Sequence, residues 1–501
     1  MINEQDTIDL IKSLFEKGQD QYKARLKGVH YERTAYLTLG KTIDDYLTSP
    51  KQLVQFFIMP GLKGSGKTTL LFQAYRYLLE IRKISPERVL FLDVNRLVEG
   101  YNLSLFEIFQ VLEKHFIKEG FENLKEPLFF LIDEAHYDPK WDQATKVLSE
   151  RTRNIFFIIT GSSALRLASS DVERRSNVHF IFPLNFQEYA KIKYGILPPK
   201  NSNASQYIRK ALFELETSKS YEVLKMVWEN LNKGFIPKFD KGLDWELKNF
   251  LAVGGLPFTL LGFESKSRSA DALVRSLDKV ILDDLYPQIP TIQSNDARRC
   301  FAVLHSLIKS LGNPNSTENI FESVKPLINL RSRDTKKLIS STSMVYTILD
   351  NLIKTQIIFP VKPLSSESKI ANHAWKYYFY TSTIISSLLI DMGKFNEDDP
   401  NLWGDLFENE AAAILEKNRR LKYIGGLGFD YQEKGADFVV LNNNSEKRIF
   451  EISFSKDKKE DQVIQTMLRF KSPFGIIIGN HNEVFMKNNI LHIPFLLLLM
   501  I

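Results

Sequence analysis

The order of apolar and polar positions divides the chain into two kinds of region. Between residues 53 and 184, short apolar runs alternate with stretches of helical periodicity. This is the pattern of strand–helix–strand units that build a parallel sheet. Five strands are predicted, at Leu53–Met59, Val89–Val94, Leu128–Ile132, Ile155–Thr160 and Val178–Phe182. Ser104 followed by Glu107 is typical of a capping box and predicts a helix reaching about Lys118.

After Pro183 the pattern changes to long helical segments, and then to short helices followed by an apolar stretch at Asn351–Val361. A helix from Leu402 through Lys417 leads into further strands, which indicates a small mixed α/β domain. We therefore expect four parts: an α/β core with an N-terminal helical segment at 1–190, a helical lid or connector at 191–295, a winged-helix-like domain at 296–395, and the mixed domain at 396–501.

Composition places the chain among ordinary folded proteins. Of its 501 residues, 44% are hydrophobic and 25% are charged, which indicates neither disorder nor a fibrous class. The single cysteine, Cys300, cannot form an internal disulfide and suits a reducing cytosol, so we expect a cytoplasmic protein. A net charge of +6 is compatible with a nucleic-acid partner but does not establish one.

Neither end of the chain reads as a targeting or membrane segment. Met1–Lys17 mixes acids and bases and lacks the basic-then-apolar order of a signal peptide. The most apolar stretch, Ile490–Ile501, is well short of the roughly 20 residues that a transmembrane helix needs. We expect no transmembrane segment and a buried terminal element.

A glycine-rich loop follows the first predicted strand and opens a helix. Its sequence from Gly61 to Thr68 fits the Walker A pattern G-x-x-x-x-G-K-[ST]. Such a loop directs backbone N–H groups at phosphate oxygens, while Lys67 reaches the β and γ phosphates and Thr68 supplies a hydroxyl to Mg²⁺. The sequence therefore predicts an ATP and Mg²⁺ site whose nucleotide-binding residues are Gly61, Gly64, Ser65, Gly66, Lys67, Thr68 and Thr69.

Two carboxylates end the third predicted strand, as in a Walker B motif. Asp133 is placed to hold Mg²⁺ together with Thr68, and Glu134 to orient and deprotonate the attacking water. The fourth strand ends in Thr160-Gly161-Ser162-Ser163, which puts Thr160 where a group that senses the γ-phosphate would lie. The pair of motifs predicts ATP hydrolysis as well as binding.

Arg174 and Arg175 precede the fifth predicted strand. Arg175 is our candidate for an arginine finger that reaches the γ-phosphate of a neighbouring subunit in a homo-oligomer. A solvated basic pair is the alternative.

These motifs resemble those of AAA-type P-loop ATPases of bacteria and archaea that carry a C-terminal restriction-endonuclease-like domain. The resemblance rests on the phosphate loop, Asp133-Glu134-Ala-His136, Thr160–Ser163 and Pro183-Leu184. It continues in three shorter motifs, which are Val253-Gly254-Gly255-Leu256-Pro257, Lys376-Tyr377-Tyr378-Phe379 and Phe407-Glu408-Asn409-Glu410. It implies an ATPase core, a winged-helix linker and a nuclease-like tail.

The resemblance implies a metal site in the tail, formed by an acidic helix residue, an Asp and a Glu-x-Lys strand. Glu410, Asp437 and Glu451 fit these positions, but Ser453 stands where the lysine belongs. Lys456 and Lys458 are close but out of phase. We therefore expect a binding module with little or no nuclease activity, for which DNA is one candidate partner.

The leading hypothesis is an AAA-type ATPase that couples hydrolysis to conformational change acting on a nucleic-acid or protein partner. An ATP-controlled DNA nuclease and an ATP-switched DNA-binding regulator are the alternatives. The basic residues Arg331, Arg333, Lys336 and Lys337, at the start of a predicted helix pair in the winged-helix region, are candidates for DNA contact. Winged helices also serve as protein-binding modules, so that choice stays open.

Overall fold

A computed structural model gives the fold of the chain. It describes residues 4–29, 31–48, 54–161, 176–198, 203–285, 297–329, 341–364, 374–454 and 460–501. The described residues form two compact units, Met1–Phe182 and Pro183–Ile501. Among the helices of these ranges, none combines the length and the apolar character that a bilayer crossing requires.

The first unit alternates helices and strands. Its helices are α1 (Glu4–Leu26), α2 (Thr34–Thr48), α3 (Lys67–Arg76), α4 (Leu105–His115) and α5 (Trp141–Arg151). Its strands are β1 (Phe56–Pro60), β2 (Val89–Asp93), β3 (Leu128–Asp133), β4 (Ile155–Gly161) and β5 (Ser176–Val178). The capping box predicted at Ser104 and Glu107 is confirmed at the start of α4.

The five strands form one parallel sheet in the order β2-β3-β4-β1-β5. Strands β1 to β4 are buried on both faces, because their alternate residues enter different hydrophobic clusters. Phe56 and Ile58 pack into one cluster and Phe57 and Met59 into the other. Burial on both sides explains why the strands read as continuous apolar runs. The predicted α/β class with a parallel sheet is confirmed.

The second unit begins with helices and continues into a mixed sheet. The helices are α6 (Phe186–Tyr194), α7 (Ala204–Phe213), α8 (Thr217–Gly234), α9 (Leu243–Asn249), α10 (Pro257–Leu261), α11 (Lys266–Lys279), α12 (Ala297–Lys309), α13 (Thr317–Asn329), α14 (Thr342–Lys354), α15 (Ser382–Asp391), α16 (Pro400–Arg420), α17 (Glu460–Phe470) and α18 (Phe495–Leu499). The strands are β6 (Ile358–Leu364), β7 (Lys376–Phe379), β8 (Gly426–Asp430), β9 (Phe438–Leu441), β10 (Lys447–Ser453), β11 (Phe474–Gly479), β12 (Phe485–Lys487) and β13 (Ile490–Pro494).

These strands form one eight-stranded sheet in the order β12-β13-β11-β10-β9-β8-β6-β7. Strands β10, β11 and β13 run parallel to one another, so their carboxyl ends meet at one edge. Strand β6 pairs with β8. The sheet therefore crosses the boundary predicted between 296–395 and 396–501. The division of the second unit into lid, winged-helix-like and restriction-endonuclease-like parts stays a prediction.

The glycine pair Gly254-Gly255 marks a close approach between segments of the second unit. A methyl group on Gly254 would lie 2.7 Å from the ring of Tyr189. A methyl group on Gly255 would lie 2.0 Å from Thr381 Oγ1, beside the N-terminus of α15. The Gly255 carbonyl also accepts the Leu184 N–H at 2.8 Å. Two of the short motifs, Pro183-Leu184 and Val253–Pro257, are therefore in contact with each other.

Gly255→Ala should destabilise the second unit by about 1–3 kcal/mol, because the new methyl group cannot fit without displacing Thr381. The matched control is Gly404→Ala in α16, where the nearest atom to an added methyl group is 3.7 Å away. That change should be neutral or should stabilise by roughly 0.5–1 kcal/mol, through the helix propensity of alanine. Denaturant unfolding of the full chain measures both; equal midpoints for the two variants would contradict the packing.

Candidate active site

The phosphate loop connects β1 to α3 and is shaped by glycines. Gly64 and Gly66 have φ angles of 86° and 94°, a left-handed conformation that glycine adopts without strain. Gly61 is bridged to Ile181, whose carbonyl oxygen would lie 2.5 Å from any β-carbon at this position. The loop therefore curls where the sequence predicted it, at the carboxyl end of a central strand.

Lys67 lies inside this curl. Its side chain is buried, and its ammonium group donates to the carbonyl oxygens of Gly61 at 2.9 Å and Leu62 at 3.3 Å. The charge is thus held within the loop, at the place where phosphate oxygens would meet the N-terminus of α3.

Asp133 joins three elements of the core. Its carboxylate accepts a hydrogen bond from Thr68 Oγ1 at 2.8 Å and another from Thr160 Oγ1. Burial raises the pKa of Asp133 to about 6, and the neighbouring Glu134 carboxylate adds to this, whereas the two hydroxyls act in the opposite direction. The structure thus brings together the two residues predicted to hold the metal.

Thr160 orders the two acids. Its hydroxyl donates to Asp133 and accepts the backbone N–H of Glu134 at 3.1 Å. A hydroxyl has a single hydrogen to donate, so in this arrangement the hydrogen is directed to Asp133. A role of Thr160 in sensing the γ-phosphate stays a prediction and would require that bond to be exchanged.

Glu134 adopts a conformation that is uncommon for a residue with a side chain. Its φ angle is 52°, and its carboxylate lies 3.3 Å from Nδ1 of the buried His136. Positive φ at a non-glycine residue is a strained arrangement often found at functional sites. The carboxylate also lines a cavity of about 550 Å³. Glu134 is therefore placed beside a space that can hold a water molecule and a terminal phosphate.

That cavity lies at the carboxyl ends of β2 and β3, where Asp93 and Asp133 are paired in register. Lys63 of the phosphate loop and Arg96 contribute positive charge to its lining. The mixture of cations and carboxylates suits a site for phosphate with a divalent ion.

The residues present fit Mg²⁺ bound with a nucleotide. Mg²⁺ takes hard oxygen ligands and usually keeps several waters, so one or two protein ligands together with phosphate oxygens suffice. Thr68 and Asp133 provide a hydroxyl and a carboxylate 2.8 Å apart. Within the described ranges, no group of three or more His, Cys, Asp or Glu side chains is placed to hold a metal by itself.

Arg33 is a residue of this site that sequence reasoning missed. Its guanidinium group is buried and donates to the carbonyl oxygen of Ser65 at 2.6 Å and to that of Phe182 at 2.8 Å. It thus ties the phosphate loop to the last residue of the first unit. A lone arginine before a helix carries no local pattern that would have identified this role.

The acids of the C-terminal region are only partly brought together. Asp437 accepts the N–H of Ile452 at 2.9 Å, and Glu451 accepts the N–H of Asp437 at 3.0 Å. Glu410 instead accepts the N–H of Ser382 at 2.8 Å, at the start of α15. Asp437 and Glu451 therefore form a pair, while the contacts of Glu410 belong to helix packing.

A buried lysine of the Lys376–Phe379 motif, for which the sequence predicted no role, accompanies this pair. Lys376 of β7 has its ammonium nitrogen 3.9 Å from Asp437 Oδ1 and 3.7 Å from Glu408 Oε1. Tyr378 donates to Glu408 at 2.7 Å. Lys376 thus brings a cation to Asp437 from another strand, and Glu408, which lies on the same helix as Glu410, contacts the same ammonium group.

Several predicted residues lie outside the described part of the chain. They are Ser162, Ser163, Arg174, Arg175, Arg331, Arg333, Lys336, Lys337, Lys456 and Lys458. Their predicted roles stay predictions.

Comparison with known proteins gives a family match for the part of the chain that contains the parallel sheet and the phosphate loop. Residues 54–190 match the family model of the AAA domain. An uncharacterized protein of Methanocaldococcus jannaschii is 29% identical over 474 residues, which cover 93% of this chain and 89% of that protein. An uncharacterized protein of Haemophilus influenzae is 30% identical over 152 residues, which cover 28% of this chain and 36% of that protein.

Among solved structures, the ORC2 protein of Aeropyrum pernix matches with 12% identity and a TM-score of 0.36, covering 73% of this chain and 95% of that one. A TM-score of this size does not establish a shared fold. The AAA domain match, in contrast, spans the sheet and the phosphate loop described above. The fold is therefore a P-loop core of the AAA type, followed by a helical region and a mixed sheet. Residues 54–190 are therefore similar to the AAA domain in sequence and contain the phosphate loop and the two acids described above.

The buried carboxyl group of Glu410 should make the free energy of unfolding depend on pH. Burial raises its pKa to about 7, against about 4.3 in an unfolded chain. The folded state therefore favours the protonated form; its contribution to stability is complete below about pH 4.3 and is lost as the pH rises through about 7. Glu410→Gln, which is neutral at every pH, should flatten the change in unfolding free energy between about pH 5 and about pH 8 by on the order of 1–3 kcal/mol.

Denaturant unfolding followed by tryptophan fluorescence measures this, because Trp228, Trp245, Trp375 and Trp403 lie in the second unit. The exposed Glu433→Gln is the matched control and should leave the profile unchanged. Parallel pH profiles for wild type and Glu410→Gln would show that Glu410 does not titrate in this range.

Proposed function

We propose that the chain is a Mg²⁺-dependent ATPase of the AAA type that couples ATP hydrolysis to conformational change acting on a nucleic-acid or protein partner. The observation that carries the proposal is the arrangement of Thr68, Asp133 and Thr160, with Glu134 held at their side. The match of residues 54–190 to the AAA domain supports it. A cytoplasmic location is part of the proposal and rests on the amino-acid composition.

The residues have distinct roles in the proposed reaction. The backbone N–H groups of the loop from Gly61 to Thr69 and the Lys67 ammonium bind the phosphates of ATP, and Thr68 and Asp133 hold Mg²⁺. When bound, Mg²⁺ neutralises charge that develops on the phosphate oxygens. Glu134 orients a water molecule in the adjoining cavity and takes its proton. Thr160 fixes the relative placement of the two acids.

The proposed homo-oligomer and the proposed DNA contact both rest on the amino-acid sequence. Arg175 as a finger acting in trans implies a homo-oligomer, in which turnover per subunit rises with protein concentration. DNA contact through the winged-helix-like and C-terminal regions is proposed from the basic residues named above, and an ATP-switched DNA-binding regulator would use the same contacts.

One observation favours the second candidate function, an ATP-controlled nuclease. Lys376 places a cation near Asp437, as a two-carboxylate nuclease site would need. Against it, both Asp437 and Glu451 already accept backbone hydrogen bonds, and Glu451 is fully buried. We favour a binding role with little or no cleavage.

Glu134→Gln should keep ATP and Mg²⁺ bound while slowing hydrolysis by about 10² to 10⁴, the usual effect of losing a positioned base. Glu99→Gln is the matched control, since Glu99 lines the same cavity at its exposed side. Its turnover should stay close to wild type. Steady-state phosphate release and equilibrium nucleotide binding separate the two effects, and wild-type turnover in Glu134→Gln would place the base elsewhere.

Lys67→Ala should remove most nucleotide binding, because the loop loses the ammonium group that lies within it. Titration with a fluorescent ATP analogue in the presence of Mg²⁺ measures the loss. Undiminished affinity in this variant would refute the assignment of the site.

The candidate functions are separated by one set of assays on the full chain. ATP turnover is measured with and without DNA, alongside cleavage of circular, linear and single-stranded DNA in Mg²⁺ or Mn²⁺. We expect turnover without cleavage. Cleavage by wild type that disappears in Asp437→Ala would establish the nuclease instead, and DNA binding gated by ATP without sustained turnover would favour the regulator.

A further inference from the structure

A second cavity, of about 620 Å³, opens at one edge of the eight-stranded sheet. Its floor is formed by Ser453, Gly479 and Pro494, the last residues of β10, β11 and β13, which are paired in register. The floor is therefore the carboxyl edge of three parallel strands. In sheets of this kind, ligands bind outside the carboxyl ends of the strands.

The walls of this cavity are largely aromatic. Trp228 of α8, Phe407 of α16 and Phe495 of α18 line it. The indole of Trp228 is fixed, because its Nε1–H donates to the carbonyl oxygen of Asn482 at 2.9 Å. Close-packed interiors leave few voids larger than a water molecule, whereas small-molecule sites measure about 300–1,000 Å³. The size and the rigid rings suit a flat apolar group.

Positive charge gathers at the same cavity. Lys241 and Lys248 line it. Their ammonium groups lie 4.3 Å and 5.0 Å from the ring centroids of Trp245 and Trp403, two rings that are not part of the lining. Neither lysine forms an ion pair with another described residue. Among the described residues of the lining, Asp244 is the one carboxylate, so the described cations exceed the described anions by one. Two ammonium groups without carboxylate partners favour an anionic ligand.

Neutral polar groups complete the lining. Nε2 of His481 is buried and has no hydrogen-bond partner among the described residues. Burial lowers the pKa of His481, so its ring is neutral at physiological pH and can donate or accept a hydrogen bond. The amides of Asn480 and Asn482 stand at the same rim. These groups match the polar edge of a heterocycle.

We propose that this cavity binds a nucleoside monophosphate, with the phosphate at Lys241 and Lys248 and the base among the aromatic walls. The ligand is either a free mononucleotide or the terminal nucleotide of a strand, since both present the same phosphate and base. The site is separate from the phosphate loop and does not depend on ATP hydrolysis.

Adenosine monophosphate is the probe, titrated calorimetrically into the full chain carrying Lys67→Ala so that the phosphate loop does not contribute. Lys241→Gln with Lys248→Gln should weaken its binding by about 10- to 100-fold, since two charged contacts are lost. The matched control is Lys219→Gln with Lys233→Gln, two exposed lysines of α8 outside the cavity. Adenosine and inorganic phosphate should each bind at least about tenfold more weakly than the monophosphate.

A second measurement uses the chain without lysine substitutions, so its result does not depend on whether a variant folds. Adenosine monophosphate should protect Lys241 and Lys248 from acetylation, as followed by mass spectrometry, and should leave Lys219 and Lys233 reactive. Unchanged acetylation of the two cavity lysines at a saturating concentration would overturn the proposal, as would equal affinity for inorganic phosphate.

A 5′-phosphorylated tetranucleotide distinguishes the two sources. Displacement of adenosine monophosphate by this strand, but not by its unphosphorylated form, identifies the end of a nucleic acid as the ligand. Failure of both strands to displace the bound monophosphate identifies the free nucleotide.

Discussion

The buried carboxylate of Asp133 is the constraint on which the ATP site depends. It is removed from water and accepts hydrogen bonds from hydroxyls on α3 and β4 while it ends β3 itself. A carboxylate in such a place is tolerated because donors satisfy it, and its raised pKa records how much solvation was lost. The same bonds fix the phosphate loop and the residues proposed as base and metal ligands relative to one another, and catalysis by positioning requires such a fixed arrangement.

The fold of the first unit follows from the sequence because four of its described strands, β1 to β4, are buried on both faces. A strand with two apolar faces is a continuous apolar run, and each of the five predicted runs overlaps or adjoins an observed strand. The second unit was harder to predict. Strand β8 contains Gly426 and Gly428, which remove the apolar alternation of a strand. The stretch from Ile490 onward was predicted as one buried element and forms both β13 and α18, since an apolar run alone does not distinguish strand from helix.

The candidate site residues also differ in how well the sequence predicted them. Those in local motifs were predicted, and those brought together by distant parts of the chain were not. The phosphate loop and the two acids at the end of β3 were predictable because each motif consists of neighbouring residues in the sequence. Arg33 was not, because its partner Phe182 lies 149 positions away and only the folded chain brings them together. Lys376 and Glu408 belong to two short motifs that the sequence analysis recognised, but their contact with each other was not predictable. Strand pairing and helix packing in the folded chain decide which side chains face each other.

The pairing of β6 with β8 has a consequence for how the second unit can be divided. Three residues of β6, Lys362 to Leu364, supply the neighbour that β8 needs on that side. If the chain were cut between these two strands, each would carry a row of unmatched amide and carbonyl groups, and bare strand edges promote aggregation. The segments that contain β6 and β8 therefore depend on each other, and neither is a self-contained fragment.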